Sequence, residues 1–286
     1  MTATRFSHPD VDFRRSGFRL IFAGFLTGIL SSAAVARKEP APLPSPPYAL
    51  VADQATQANA IARVRVRSVA QLVPERSPGL RAGEARYYVE AESSSLIRGS
   101  AGLAQRISFL VDGSPDKKAR PVVKGQEYLI FGSVGDRVDQ FRLLSAKSVI
   151  PWSDASEALT RKIVSEIIAP NAPPAISRIE SAFHVVGNVT GESESQIFLQ
   201  TQDKRPISLS IIRRPDETPA YTVSIGEVVG EDGKLPAKDT LLWYRLACHL
   251  PADLPPQALN GVESSDAQAA RRDYREMMTA LGPCTR

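Results

Sequence analysis

A mainly β fold with helices, an α+β chain built as two small β-rich domains, is what this sequence predicts. Three observations carry the prediction. Short segments that alternate apolar and polar residues recur along the chain. Two helix-like segments, 153–168 and 266–281, each follow a group of such strands. Between the groups lies Ala169-Pro-Asn-Ala-Pro-Pro-Ala175, where proline cannot continue a helix and pushes its predecessors into extended backbone. The expected organisation is a leader over 1–36, a tether over 37–47, a first domain over 48–168, a linker over 169–175 and a second domain over 176–286. Each domain then falls within the usual size range.

The leader reads as a targeting segment rather than as structure. Arg14, Arg15 and Arg19 form a positive start. Leu20–Leu30 is an uncharged apolar run, and Ala34-Val35-Ala36 has the small-x-small pattern of a signal-peptidase site. Cleavage is expected after Ala36, with the mature chain periplasmic or secreted. The alternative is an uncleaved anchor, because Leu20–Ala36 approaches the length of a membrane span, but its Gly, Ser and Thr weaken it as one. Arg14-Arg15 has the look of a twin-arginine signal, with the aromatic one place late. No cysteine ends the apolar run, which argues against a lipoprotein. Residues 1–36 hold four Arg and two Asp, so 35 basic and 31 acidic residues become 31 and 29 in the mature chain. So balanced a chain lacks the concentrated basic face that nucleic-acid binding needs. The partner expected is an envelope protein, with no nucleic acid and no cofactor.

Pro40-Ala-Pro-Leu-Pro-Ser-Pro-Pro47 is a stiff, extended tether. In the first domain, residues 60–69 alternate at period two, with Arg63, Arg65 and Arg67 on one face and Val64 and Val66 on the other. Further strands are expected at Tyr87–Glu92, Ile107–Val111, Gln126–Phe131 and from Phe141. Ser153 is placed to cap a helix running to about Ile168, with Trp152 where helix meets sheet. Five strands and a helix fit a small closed or half-closed barrel.

Tyr88-Val-Glu-Ala91, Leu96-Ile-Arg-Gly99 and Lys124-Gly-Gln-Glu-Tyr-Leu-Ile-Phe131 resemble the netrin-like module. That module is the OB-type barrel of tissue inhibitors of metalloproteinases and of complement C-terminal domains. The resemblance implies an OB-like barrel for the first domain. It implies no protease inhibition, because residues 37–247 lack the module's cysteines, including the N-terminal one through which the inhibitors chelate zinc.

The second domain shows strand patterns at Ala182–Val186, Gln196–Thr201, Ile207–Ile212, Tyr221–Ile225 and Glu227–Val229. Thr240–Cys248, the longest apolar run, is expected to be a central strand. Residues 266–281 read as an amphipathic helix with Ala269, Met277 and Leu281 on one stripe and Tyr274 beside it, stopped by Gly282-Pro283. Across the mature chain, Gly191–Thr201, Arg213-Arg-Pro215 and Leu242–Pro251 resemble a family of uncharacterised exported bacterial proteins, which implies no particular activity.

Cys248 and Cys284 are the only cysteines. In an oxidising compartment such a pair reads as a disulfide, and on a strand Cys248 and His249 would point apart, which disfavours a nucleophilic dyad. No HExxH, CxxC pair, GxSxG, SxxK or P-loop is present, so no catalytic or metal residues are assigned. His184, between Phe183 and Val185, is a structural histidine or, alternatively, a hydrolase base. Glu192, Glu194 and Asp203 offer oxygens but sit in acidic turns. Arg213 and Arg214 are the best candidates for recognition, since two guanidinium groups can clamp a carboxylate or phosphate. Trp243, Tyr244 and Arg245 offer an aromatic–cation set.

Overall fold

The computed structural model describes residues 44–100, 102–226, 228–229 and 234–286. The leader, its cleavage site and residues 37–43 of the tether lie outside them.

The chain enters through helix α1 (Tyr48–Gln57), which the sequence reading did not foresee. Alanine and other good helix formers follow Pro46-Pro47, and buried Tyr48, Val51, Ala52 and Ala55 recur at helical spacing. Strand β1 (Ala60–Gln71) follows, then β2 (Ala85–Arg98), β3 (Arg106–Gly113), β4 (Glu127–Val134), β5 (Gln140–Leu143) and the short β6 (Val149–Pro151). The first five close into a barrel of order β1-β2-β3-β5-β4, with β4 returning to β1. All neighbours are antiparallel except β3 and β5, which run parallel. This is an OB-like barrel. On β1, Val64 and Val66 are buried within it while Arg65 and Arg67 are exposed, as the alternation requires. The run Tyr128-Leu-Ile-Phe131 is apolar throughout because β4 is covered on both faces. Tyr128 and Ile130 fill the barrel, and Leu129 and Phe131 face the helices.

Helix α2 (Asp154–Ile168) starts where expected. Ser153 Oγ accepts from Ser156 N–H at 3.1 Å, and Ser156 Oγ accepts in return from Ser153 N–H at 2.8 Å. Trp152 donates its indole N–H to Glu157 at 2.7 Å, and the Arg63 guanidinium stacks 3.6 Å above the indole ring.

The second group is an antiparallel meander, β7 (Ile176–Val186), β8 (Ser193–Thr201), β9 (Ile207–Arg213), β10 (Ala220–Ile225) and β11 (Val228–Val229), with β7 and β11 at its edges. Its inner face carries Ala182, Ile197, Leu199, Ile207, Leu209, Ile211 and Val223. Helix α4 (Ser264–Leu281) packs against it and ends at Gly282, whose φ of 79° is the left-handed stop that glycine favours. The buried stripe of α4 is Ala270, Asp273, Tyr274, Met277 and Leu281, so Ala270 takes the place expected for Ala269.

The expected central strand over Thr240–Cys248 is instead helix α3 (Leu241–Ala247). A run apolar on every side carries no periodicity to separate a buried strand from a buried helix. Two local features decide it. Thr240 Oγ accepts from Trp243 N–H at 3.3 Å, an N-cap, and Leu, Arg and Ala favour helix. Leu241, Trp243, Tyr244 and Leu246 are buried, and the Trp243 indole donates to the Leu281 carbonyl at 2.8 Å. The Cys248–Cys284 disulfide is formed, Cα to Cα 5.1 Å, and joins the ends of α3 and α4 rather than a strand and a helix.

The expected linker 169–175 is the connection between α2 and β7, yet the buried core crosses it. One cluster holds Ile61, Leu129 and Phe131 of the barrel wall, residues of all four helices, and the inner face of the meander. The described residues form one compact unit. Asp53 of α1 ties its ends together, accepting from Tyr244 Oη at 2.7 Å and from Arg286 Nε at 2.6 Å.

Candidate functional site

Two arrangements merit comparison as sites: a polar cluster under α4 and a groove on the barrel. The polar cluster forms because β7, β8 and β9 place His184, Ser195 and Arg213 on the inner face of the meander while α4 presents Asp273 to them. Ser195 is fully buried and donates its hydroxyl proton to Asp273 Oδ2 at 2.6 Å. His184 Nδ1 lies 2.9 Å from the same hydroxyl oxygen, which is then left to accept from it. Asp273, also fully buried, takes Arg213 Nε at 2.9 Å and Arg272 Nη2 at 2.9 Å on its other oxygen. Arg213 also pairs with Glu276. Burial alone would push the Asp273 carboxyl up, but the bonds from Ser195, Arg213 and Arg272 prevail and hold it below the usual range.

This order of groups is not that of a nucleophile triad. There the serine gives its proton to histidine and the carboxylate orients the far side of the ring. Here the serine proton goes to the carboxylate and the hydroxyl is sealed from solvent. The cluster is a clamp that fastens α4 to three strands.

The other expected candidates are dispersed. Arg213 is turned inward to the clamp. Its neighbour Arg214 is exposed, 3.7 Å from Glu217, so the two guanidinium groups do not converge. Glu194 accepts from Gln196, and Asp203 closes a turn with Thr201 and Arg205. Trp243 faces α4, whereas Arg245 lies over Tyr244 at 6.0 Å, so the three do not form one cage. His249 packs edge-on against Tyr244, and burial lowers its pKa. Among the described residues no group of three or more His, Cys, Asp or Glu is placed to hold a metal ion, and no helix is long and apolar enough to cross a membrane.

The barrel groove rests on main-chain geometry and was invisible as a motif. Strand β3 pairs with β2 along its whole length, as far as Ala85↔Gly113. Its pairing with β5 covers only Ser108↔Gln140 and Phe109↔Phe141. Beyond that point β5 follows β4, through Ser133↔Arg142 and Gly132↔Leu143, and opens a cleft of about 620 Å³. Leu110 and Asp112 line one bank and Arg142 and Leu144 the other. A second cleft of about 470 Å³, reaching Arg67 and Arg106, meets the first at Tyr88 and Ser108. Tyr88, Leu110 and Leu144 are exposed apolar side chains along this path. The surrounding charges are largely matched: Arg86 grips Asp112 with two bonds of 2.7 and 2.8 Å, Arg67 pairs with Glu92, and Arg137 with Asp139. These partners hold Asp112, Glu92 and Asp139 below the ordinary carboxylate range.

No protein-family model matches the chain, and no curated protein matches it either.

Proposed function

We propose that this is an exported, non-enzymatic binding protein of the cell envelope that recognises a protein partner on the outer face of its barrel. The observation that carries the reading is the groove centred on Tyr88, with Tyr88, Leu110 and Leu144 exposed along charge-matched banks. It lies on the strand 2–3 face by which OB-type barrels bind their ligands. Matched charge and exposed apolar side chains suit a polypeptide better than a phosphate backbone. The groups that could do chemistry, His184, Ser195 and Asp273, are engaged with one another in the interior. Export is supported by the leader pattern of residues 1–36 and by the disulfide, which suits an oxidising compartment.

The test is site-specific photo-crosslinking from position 88 in the envelope of the source cell, with a control position on the far side of the molecule. The reading expects one discrete partner from position 88, lost when Leu110 and Leu144 are both changed to aspartate. Crosslinks equal to the control position would refute it. N-terminal sequencing of the exported protein should begin at Arg37; a chain retaining residues 1–36 would refute cleavage.

A further inference from the structure

The groove offers main-chain groups as well as side chains, and their direction follows from the ladder. Ser108 N–H donates to the Asp139 carbonyl at 2.8 Å, so the main-chain groups of Ser108 point away from β2 towards β5. Along a strand that direction repeats every second residue. The main-chain groups of Leu110 and Asp112 therefore point the same way: the Leu110 N–H meets the Phe141 carbonyl in the last parallel pairing, whereas the Leu110 C=O and the N–H and C=O of Asp112 lie past the place where β5 has turned off. The opposite bank has the same property. Gly135 N–H bonds the Gln140 carbonyl and Leu144 N–H bonds the Phe131 carbonyl, so residues 140, 142 and 144 face β4. Leu143, between them, faces the cleft. The Leu110 C=O and both main-chain groups of Asp112 on one bank, and both groups of Leu143 on the other, thus face the cleft with no strand between them.

We propose that this cleft is a strand-addition site. An extended segment of a partner protein enters between β3 and β5 and pairs with the Leu110 carbonyl and with the main chain of Asp112 and Leu143. It seats apolar side chains against Leu110, Leu144 and Tyr88. The inference rests on the preceding reading that the barrel's outer face binds a protein. The occupant's chemistry follows from the banks. Alternating donors and acceptors at strand pitch are matched by an extended polypeptide backbone, and the exposed Leu110 and Leu144 require apolar residues at alternate positions. The segment must also lack proline at its bonding positions, because proline has no N–H to give. That excludes this chain's own 40–47 segment, where proline stands at 40, 42, 44, 46 and 47. Asp112 is already gripped by Arg86, whereas Arg142 has only the exposed Asp136, so an acidic residue flanking the segment on the β5 side gains a partner.

The probe is a peptide selected from a random-peptide library on the full chain, chosen for binding that a Tyr88→Asp change abolishes. Amide exchange followed by NMR is read with and without it. Strand addition expects the Asp112 and Leu143 amides to slow at least about tenfold in the complex, as newly bonded amides do. Methylating two bonding amides of the peptide should weaken it by about tenfold or more, since each lost hydrogen bond is worth roughly a factor of several. In the protein, Asp112→Pro removes a donor that faces the cleft rather than β2, and should weaken binding more than Asp112→Ala. Should Asp112→Pro fail to fold, the exchange and methylation results decide the matter. A Tyr88-dependent peptide that leaves both amides exchanging as fast as before overturns strand addition while the binding face stands. Failure to select any Tyr88-dependent peptide overturns strand addition; if position 88 also yields no discrete crosslink, the binding-face reading falls with it. Protection of the same amides by self-association, without peptide, overturns the assignment to a different chain.

Discussion

Replacing Asp273 by alanine should cost about 3–5 kcal/mol, the range for breaking a buried ion pair by removing one partner. The carboxylate is fully buried and accepts from Ser195 at 2.6 Å, Arg213 at 2.9 Å and Arg272 at 2.9 Å. Without it Ser195 loses its acceptor inside the protein, and Arg213, with 23% of its side chain exposed, keeps only Glu276. An exposed pair between the same helix and the loop before it, Arg275–Asp253, makes the control, since Asp253→Ala should change stability by less than about 1 kcal/mol. Urea unfolding with the disulfide intact measures both, provided the m-values agree. Acid titration adds a second reading. The folded carboxyl sits below its unfolded value of about 3.9. Its contribution is therefore fully present above that pH and is lost as pH falls through the folded value. Asp273→Asn should lose stability at neutral pH and show a shallower decline between neutral pH and strong acid than the parent. A cost for Asp273→Ala no larger than that of Asp253→Ala, or an unchanged acid slope in Asp273→Asn, would refute the clamp.

Three further outcomes follow from the packing. Cys284→Ser should destabilise by about 3–4 kcal/mol from the loop-closure entropy of 36 residues, and thiol titration of the unreduced native protein should find none; two titrating thiols would refute the bond. Gly132→Ala should cost at least about 3 kcal/mol, because a Cβ there would stand 1.9 Å from the Arg142 carbonyl oxygen where β4 and β5 meet, whereas Gly102→Ala, with open space around it, should be close to neutral by thermal melting. Thr240→Ala should cost about 1 kcal/mol through loss of the α3 cap, and Thr240→Ser should restore most of it; no cost for alanine would remove the cap from the account of why this run is helical.

The barrel was legible because its strands carry strong period-two contrast. Arg63, Arg65 and Arg67 against Val64 and Val66 assign β1 to a face without help from the rest of the chain. The run 128–131 was readable as a strand because Gly125 introduces it, and it is apolar throughout because both its faces are covered, but the same kind of run at 240–248 turned out helical. Composition could not separate the two; the Thr240 cap could have. Helix α1 was missed although Pro46-Pro47 followed by alanine-rich sequence is a helix start. The clamp was half visible. His184 and Arg213 stood out as polar residues in apolar strands, while Ser195 and Asp273 looked ordinary. Ser195 and Asp273 are 78 residues apart, and they meet only once α4 has docked. The groove had no residue signature at all, since an unpaired strand edge is a property of where the neighbouring strand turns away.

The core that crosses residues 169–175 has a consequence for how the protein can be cut. A protease nick between α2 and β7 would sever the chain where it is thinnest in sequence yet leave its interior whole. Each piece alone would bare a wall: Leu129, Phe131 and Ile163 on one, Ile197, Leu209 and Trp243 on the other. Those walls are each other's covering, so the halves should behave as a split protein. They should be insoluble or loosely folded apart, reconstitute when mixed, and co-purify after cleavage as one body.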